Sequence, residues 1–289
     1  MAARRQGVGQ ASAGRRRRSL QSPAWLSLVG VALFAWPFLT ATAVPDGPAL
    51  ATALGALGGL LLAEAGARRL DARLLALLAA IAAIDAGLRL ALVTGIGGFS
   101  PIFFLVLCAG WVFGPSYGFE TGAVALLVSA IATGGIGPWL PYQLFGVGWV
   151  GLAAGAASRL VGRLTGHPVV APSRRDLIVL AVVGAVMGLV YGALLDVWDW
   201  TFFRGSPELG WVPGLALGTT LERFGRFYLV TSLWYDSFRA VGNALMVLGL
   251  GAPVLAALWR VRLRSSFRVI DTVPAAAAIS AARPSGLDV

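Results

Sequence analysis

Three polar side chains punctuate an otherwise apolar stretch near the C-terminal end of the chain: Asp236, Arg239 and Asn243. At spacings i, i+3 and i+7 they share one stripe of a helix, which suits either the wall of a ligand site or a brace against a neighbouring helix. Two aromatic segments offer complementary chemistry. Gly134-Gly-Ile-Gly-Pro-Trp-Leu-Pro-Tyr-Gln143 carries Trp139, Tyr142 and Gln143, and Asp196-Val-Trp-Asp-Trp200 sets Trp198 between two carboxylates. Rings with a few hydrogen-bonding groups are what a small flat ligand requires, although rings at a membrane interface also serve as an anchoring belt. Asp85 and Arg89 are four residues apart, so they can pair on one helical face, or Asp85 can carry a proton. The Asp196-x-x-Asp199 spacing would suit Mg²⁺ and a diphosphate in a prenyl- or lipid-transferase, but Glu222 and Asp236 stand alone where a second acidic motif is needed. Cys108 and His167 are the sole residues of their kinds, so no disulfide, metal centre or cofactor is expected.

Those groups must be positioned by an unusually apolar chain. Of 289 residues, 57% are hydrophobic and 12% charged, about half the charge of a soluble domain. Mean hydropathy is +0.79, which excludes a soluble enzyme. Apolar runs at 24–43, 49–67, 74–94, 101–114, 118–133, 143–161, 177–195 and about 231–259 predict an all-α polytopic protein of about eight transmembrane helices. Residues 1–23 form a basic tail, and the segment from 265 to 289, rich in Ala, Pro and Ser, forms a disordered one. The Ala41-Thr-Ala43 triplet resembles a signal-cleavage site, yet the run before it is long enough to span and is expected to be retained.

All 23 basic residues are arginines, and net charge is +10. Their distribution is topological. Arg68, Arg69 and Arg73 precede the stretch 101–133, while Arg159, Arg163, Arg174 and Arg175 follow it; placing both clusters in the cytoplasm demands an even number of crossings between them. Hence the stretch must turn, at Gly114-Pro115-Ser116-Tyr117-Gly118. Both termini are then cytoplasmic, and Arg204, Arg223 and Arg226 lie in one long outer loop over 196–230. The basicity is a membrane signal, with no nucleic-acid partner implied. Glu120 is read as a cap for the helix after the turn.

Small residues recur every fourth position at Gly110, Gly114, Gly118 and Gly122, at Gly151 and Gly155, and at Gly184, Gly188 and Gly192. Such rows let helix backbones approach closely in lipid. Ala76, Ala79, Ala80 and Ala83 make a second smooth face, open either to internal packing or to a partner helix.

Assembled, these segments resemble the substrate-binding S component of energy-coupling factor (ECF) vitamin transporters, of actinobacterial type. The likeness rests on Phe99 to Gly122, on Gly134 to Gln143, and on Asp236-Ser-Phe-Arg-Ala-Val-Gly-Asn243 followed by Gly251-Ala-Pro253. It covers residues 70–264. The resemblance implies a six-helix core in a bacterial plasma membrane, preceded here by two extra helices within 24–69, that binds a vitamin from outside. Trp139, Tyr142, Gln143, Trp198, Asp236, Arg239 and Asn243 would form the substrate site, with no catalytic residue. It further implies docking through Ala76, Ala79, Ala80 and Ala83 on a membrane scaffold driven by two ATPases; the chain itself lacks a Gly-x-x-x-x-Gly-Lys loop. A corrinoid is the first ligand suggested by the family, with riboflavin, thiamine, biotin and purines open. The alternatives are a stand-alone secondary transporter using Asp85 or Asp236, and the transferase using Asp196 and Asp199.

Overall fold

A computed structural model describes residues 26–39, 51, 54–59, 72–91, 101–166 and 172–265. Both tails, His167 and most of the expected helix over 49–67 lie outside the described residues. The principal helices are α1 (Leu26–Leu39), α2 (Ala72–Ala91), α3 (Ile102–Phe113), α4 (Pro115–Thr133), α5 (Leu140–Leu164), α6 (Arg174–Phe202), α7 (Leu217–Thr231) and α8 (Leu233–Ser265). Among the described residues there is no strand, and the protein is all-α. Four helices, α4, α5, α6 and α8, are long and apolar enough to cross a membrane.

The expected break after α3 is sharper than the sequence suggests. Gly114 alone forms it, with φ 101°, a backbone region open to glycine, and Pro115 already occupies the first turn of α4. Consequently Glu120 does not cap: it lies beyond the first turn of α4 and is fully buried. At 12 residues α3 is about 18 Å long, too short to span alone. It is apolar on every side and occupies the centre, touching α2, α4, α5, α6 and α8.

The glycine rows prove to be intramolecular contacts. A Cβ on Gly118 would meet the backbone of both Gly151 and Gly110, so α3, α4 and α5 converge on three residues that have no side chain. Gly122 abuts Val147, and Gly155 abuts the Gly114–Pro115 link. On the other flank, Gly188 of α6 sits 3.1 Å (to its would-be Cβ) from the Ala240 backbone of α8. Close backbone approach is how helices bind one another where water gives no hydrophobic drive.

Helix α6 begins with a capping box in which Ser173 and Asp176 exchange bonds of 3.1 and 3.2 Å. It then runs to Phe202, and α7 follows, so the span from 196 to 230 is not one loop. Asp196, Trp198 and Asp199 are on the last turns of α6.

One end of the bundle collects arginines. Arg73 donates to the Arg264 carbonyl at 3.4 Å, Arg262 donates to the Val112 carbonyl and stacks over Trp259, and Arg159 packs against Gly114. At the far ends of α5 and α6 lie the aromatic segments. Ala76, Ala79, Ala80 and Ala83 are all exposed on α2, whereas Leu78, Ile81, Ala82, Asp85 and Ala86 face the core.

Candidate functional site

The start of α5 and the end of α6 enclose an open cavity of about 230 Å³, lined by Trp139, Tyr142, Gln143, Leu195, Trp198 and Asp199. Five of the residues singled out in the sequence therefore meet: four expected at a substrate site, and Asp199. Trp139 precedes the first turn of α5 and Tyr142 and Gln143 lie within it, while Leu195, Trp198 and Asp199 are three and four residues apart on one face of α6. Leu195 escaped the sequence reading, although that spacing from Trp198 and Asp199 was its signal.

The rings stand as walls rather than a stack. Trp139 and Trp198 meet edge to face, with centroids 5.9 Å apart and planes at 72°; Tyr142 lies 6.5 Å from Trp198 at 50°. The Trp139 indole N–H is tied to the Gly135 carbonyl at 3.2 Å, and the Trp198 Nε1 is buried with no partner among the described residues. Asp199 is exposed at the rim.

Helix α1 holds this wall from behind. Trp36 Nε1 donates to the Tyr142 hydroxyl at 3.0 Å, and the Phe34 ring meets the Tyr142 ring edge to face at 5.1 Å. On its other side the Trp211 indole donates to the Pro37 carbonyl at 3.0 Å, and Phe38 packs on Trp200 and Phe224. The segment 203–216 is itself pinned: Trp200 Nε1 donates to the Leu209 carbonyl at 2.6 Å, and Arg223 donates to the carbonyls of Pro207 and Gly210 at 2.5 and 2.9 Å. The first of the two helices expected as extra to the six-helix core thus backs the wall of the cavity.

The stripe of α8 faces elsewhere. Asp236 and Arg239 form an ion pair, Arg239 also reaches the Gly188 carbonyl at 3.5 Å and lies 5.4 Å over the Tyr191 ring, and Asn243 donates to the Gly184 carbonyl at 3.1 Å. A Cβ on Gly192 would fall on the Asp236 carboxylate. Of the two uses open to such a stripe, the geometry is that of a brace, threaded into the space that the glycines of α6 leave vacant. None of the three residues lines the cavity. Tyr228 of α7 lies against the brace; burial, then the neighbouring Asp236 carboxylate, pushes its hydroxyl up to about 12, so it stays a donor at neutral pH.

Asp85 does not pair with Arg89. Arg89 instead donates to Ser129 of α4 at 3.1 Å, drawn across to the neighbouring helix, and both Asp85 oxygens are buried without a partner among the described residues. Cys108 is a free, buried thiol in the core. Asp196 is buried beside Ser232, whereas Asp199 lines the cavity, so the two carboxylates serve different surroundings. Among the described residues no group of three or more His, Cys, Asp or Glu is placed to hold a metal ion. No protein-family model, curated protein or solved structure matches the chain.

Proposed function

We propose that this chain is the substrate-binding membrane subunit of an ECF-type importer, taking a small molecule from outside the cell and passing it on through a scaffold subunit and two ATPases. The observation that carries the reading is the cavity framed by Trp139, Tyr142, Gln143 and Trp198, at the end of the bundle opposite Arg73, Arg159 and Arg262. With the arginine end in the cytoplasm of a bacterial cell, the cavity opens outward, both termini lie inside, and about eight crossings complete the topology. The exposed alanines of α2 (Ala76, Ala79, Ala80, Ala83) are the face assigned to the scaffold, and no catalytic residue is needed.

The cavity narrows the ligand. At about 230 Å³ it falls below the ~300–1,000 Å³ of drug-sized pockets, which suits one small ring system better than a corrinoid. The role of Asp236, Arg239 and Asn243 becomes that of holding α6, and with it Trp198 and Asp199, against α8.

Mass spectrometry of the molecule that co-purifies with detergent-extracted protein tests this reading. A single small ligand, lost from Trp198→Ala and Gln143→Ala, is expected; protein that carries none, with uptake unchanged in both variants, removes the assignment. Asp85 favours a second reading, a self-sufficient secondary transporter, because a buried carboxyl with no partner among the described residues is a natural proton carrier. Uptake that persists without the ATPase genes and stops with Asp85→Asn would select it.

A further inference from the structure

The cavity has a charge bias that its outline does not reveal. Its lining offers three aromatic rings, one amide, one aliphatic side chain and one carboxylate, and no basic group. Arginines are not scarce at this end of the molecule, yet each is committed elsewhere. Arg204 donates to the carbonyls of Thr201 and Phe203, both at 3.0 Å. Arg223 holds the carbonyls of Pro207 and Gly210. Arg226 pairs with Glu222 at 2.6 Å, and Arg239 pairs with Asp236. None of these arginines lines the cavity, so an anionic ligand would meet Asp199 with no basic side chain among the lining residues.

The rings point the same way. Trp139 and Tyr142 stand at 72° and 50° to Trp198, which makes a box of π-surfaces rather than a slot for one flat neutral molecule. Indole faces attract cations through their quadrupole, more strongly as water is excluded, and a carboxylate at the rim adds a direct counter-charge. Resting on the small-molecule site proposed above, we infer that the Trp139–Tyr142–Trp198 box and Asp199 select an organic cation, a quaternary ammonium or cationic ring of single-ring size. Gln143 supplies the one amide of the lining, suited to a polar substituent on that ring.

Three isosteric pyridines separate the possibilities: 1-methylnicotinamide carries a positive charge, nicotinamide is neutral and nicotinate is negative. Equilibrium dialysis against the purified full-length protein should find the cation bound about tenfold more tightly than the neutral ring, with the anion weakest. Asp199→Asn should weaken the cation by a similar factor, Asp199→Glu should restore it, and the exposed Glu222→Gln should leave it unchanged, which separates the local carboxylate from net charge. Elution as a single peak shows that each variant is folded. The inference is overturned if nicotinamide or nicotinate binds as well as the cation, if Asp199→Asn has no effect, or if all three fail while a neutral or anionic ligand co-purifies; the site itself then stands. If nothing binds and nothing co-purifies, the site falls as well.

Discussion

Replacing Gly151 by alanine tests the close approach of α4 and α5 directly. The added methyl would land on the Gly118 carbonyl, with the Gly118 Cα 2.9 Å away, against an ordinary contact that begins at 3.4 Å. Both sides of the clash are backbone, so no rotamer change relieves it, and α4 and α5 must separate by about 1 Å along tightly packed faces. Overpacking of that kind costs roughly 1–3 kcal/mol, and the rigid backbone partner puts this site at or above the upper end. The better helix propensity of alanine returns about 1 kcal/mol, leaving a net loss of roughly 2–3 kcal/mol. Intrinsic tryptophan fluorescence during heating in detergent should show a midpoint lower by about 4–12 °C. Gly218→Ala on α7, where a Cβ meets nothing within 4 Å, provides the control and should be neutral or slightly stabilising. A Gly151→Ala midpoint equal to that of Gly218→Ala would refute the backbone contact and with it the close seating of α4 on α5.

Other expectations concern the site and its supports. Trp36→Phe removes the bond to the Tyr142 hydroxyl while keeping an aromatic ring, and should cost about 1 kcal/mol, read as about a fivefold loss of ligand affinity by dialysis; unchanged affinity would detach α1 from the site. Arg239→Ala strands the buried Asp236 carboxylate and should destabilise by roughly 3 kcal/mol, whereas the Asp236→Ala/Arg239→Ala double variant should recover part of that loss in the same melting assay. Asp85→Leu deletes a buried carboxyl without a partner and should raise the midpoint if the group has no transport role; a lower midpoint would mean that the carboxyl is satisfied in the membrane.

Much of this was legible in the sequence because it depends on near neighbours in the chain. The four-residue glycine rows follow from helical spacing, and the break at Gly114-Pro115 follows from its turn residues and from arginine parity; Trp198 and Asp199, read as part of a loop, belong instead to the last turns of α6. The partnership of Trp139, Tyr142 and Gln143 with Trp198 was accessible from composition, since both segments are aromatic and end helices on the same side. What spacing does not convey is the neighbour a stripe will meet. Asp236, Arg239 and Asn243 share a face, but only the glycine row of α6, some fifty residues earlier, shows that the face is filled by backbone carbonyls. The same limit hid α7. Its Leu217, Leu221 and Phe224 are spaced for a helix, but they sit among residues whose charge and turn signals read as a connection. Arg89 illustrates a third case, in which a local partner at i−4 was reachable and a hydroxyl on another helix took its place.

The engagement of α1 sets an order of assembly. Its contacts lie far downstream: Trp36 waits for Tyr142, 106 residues later, and the Pro37 carbonyl waits for Trp211, 174 residues later. During synthesis α1 therefore meets its first described seat, on α5, only after 106 further residues, and its second, at Trp211, only after 174. A helix made early thus backs the box once α5 is in place, and is held on its other side only when the chain has reached Trp211.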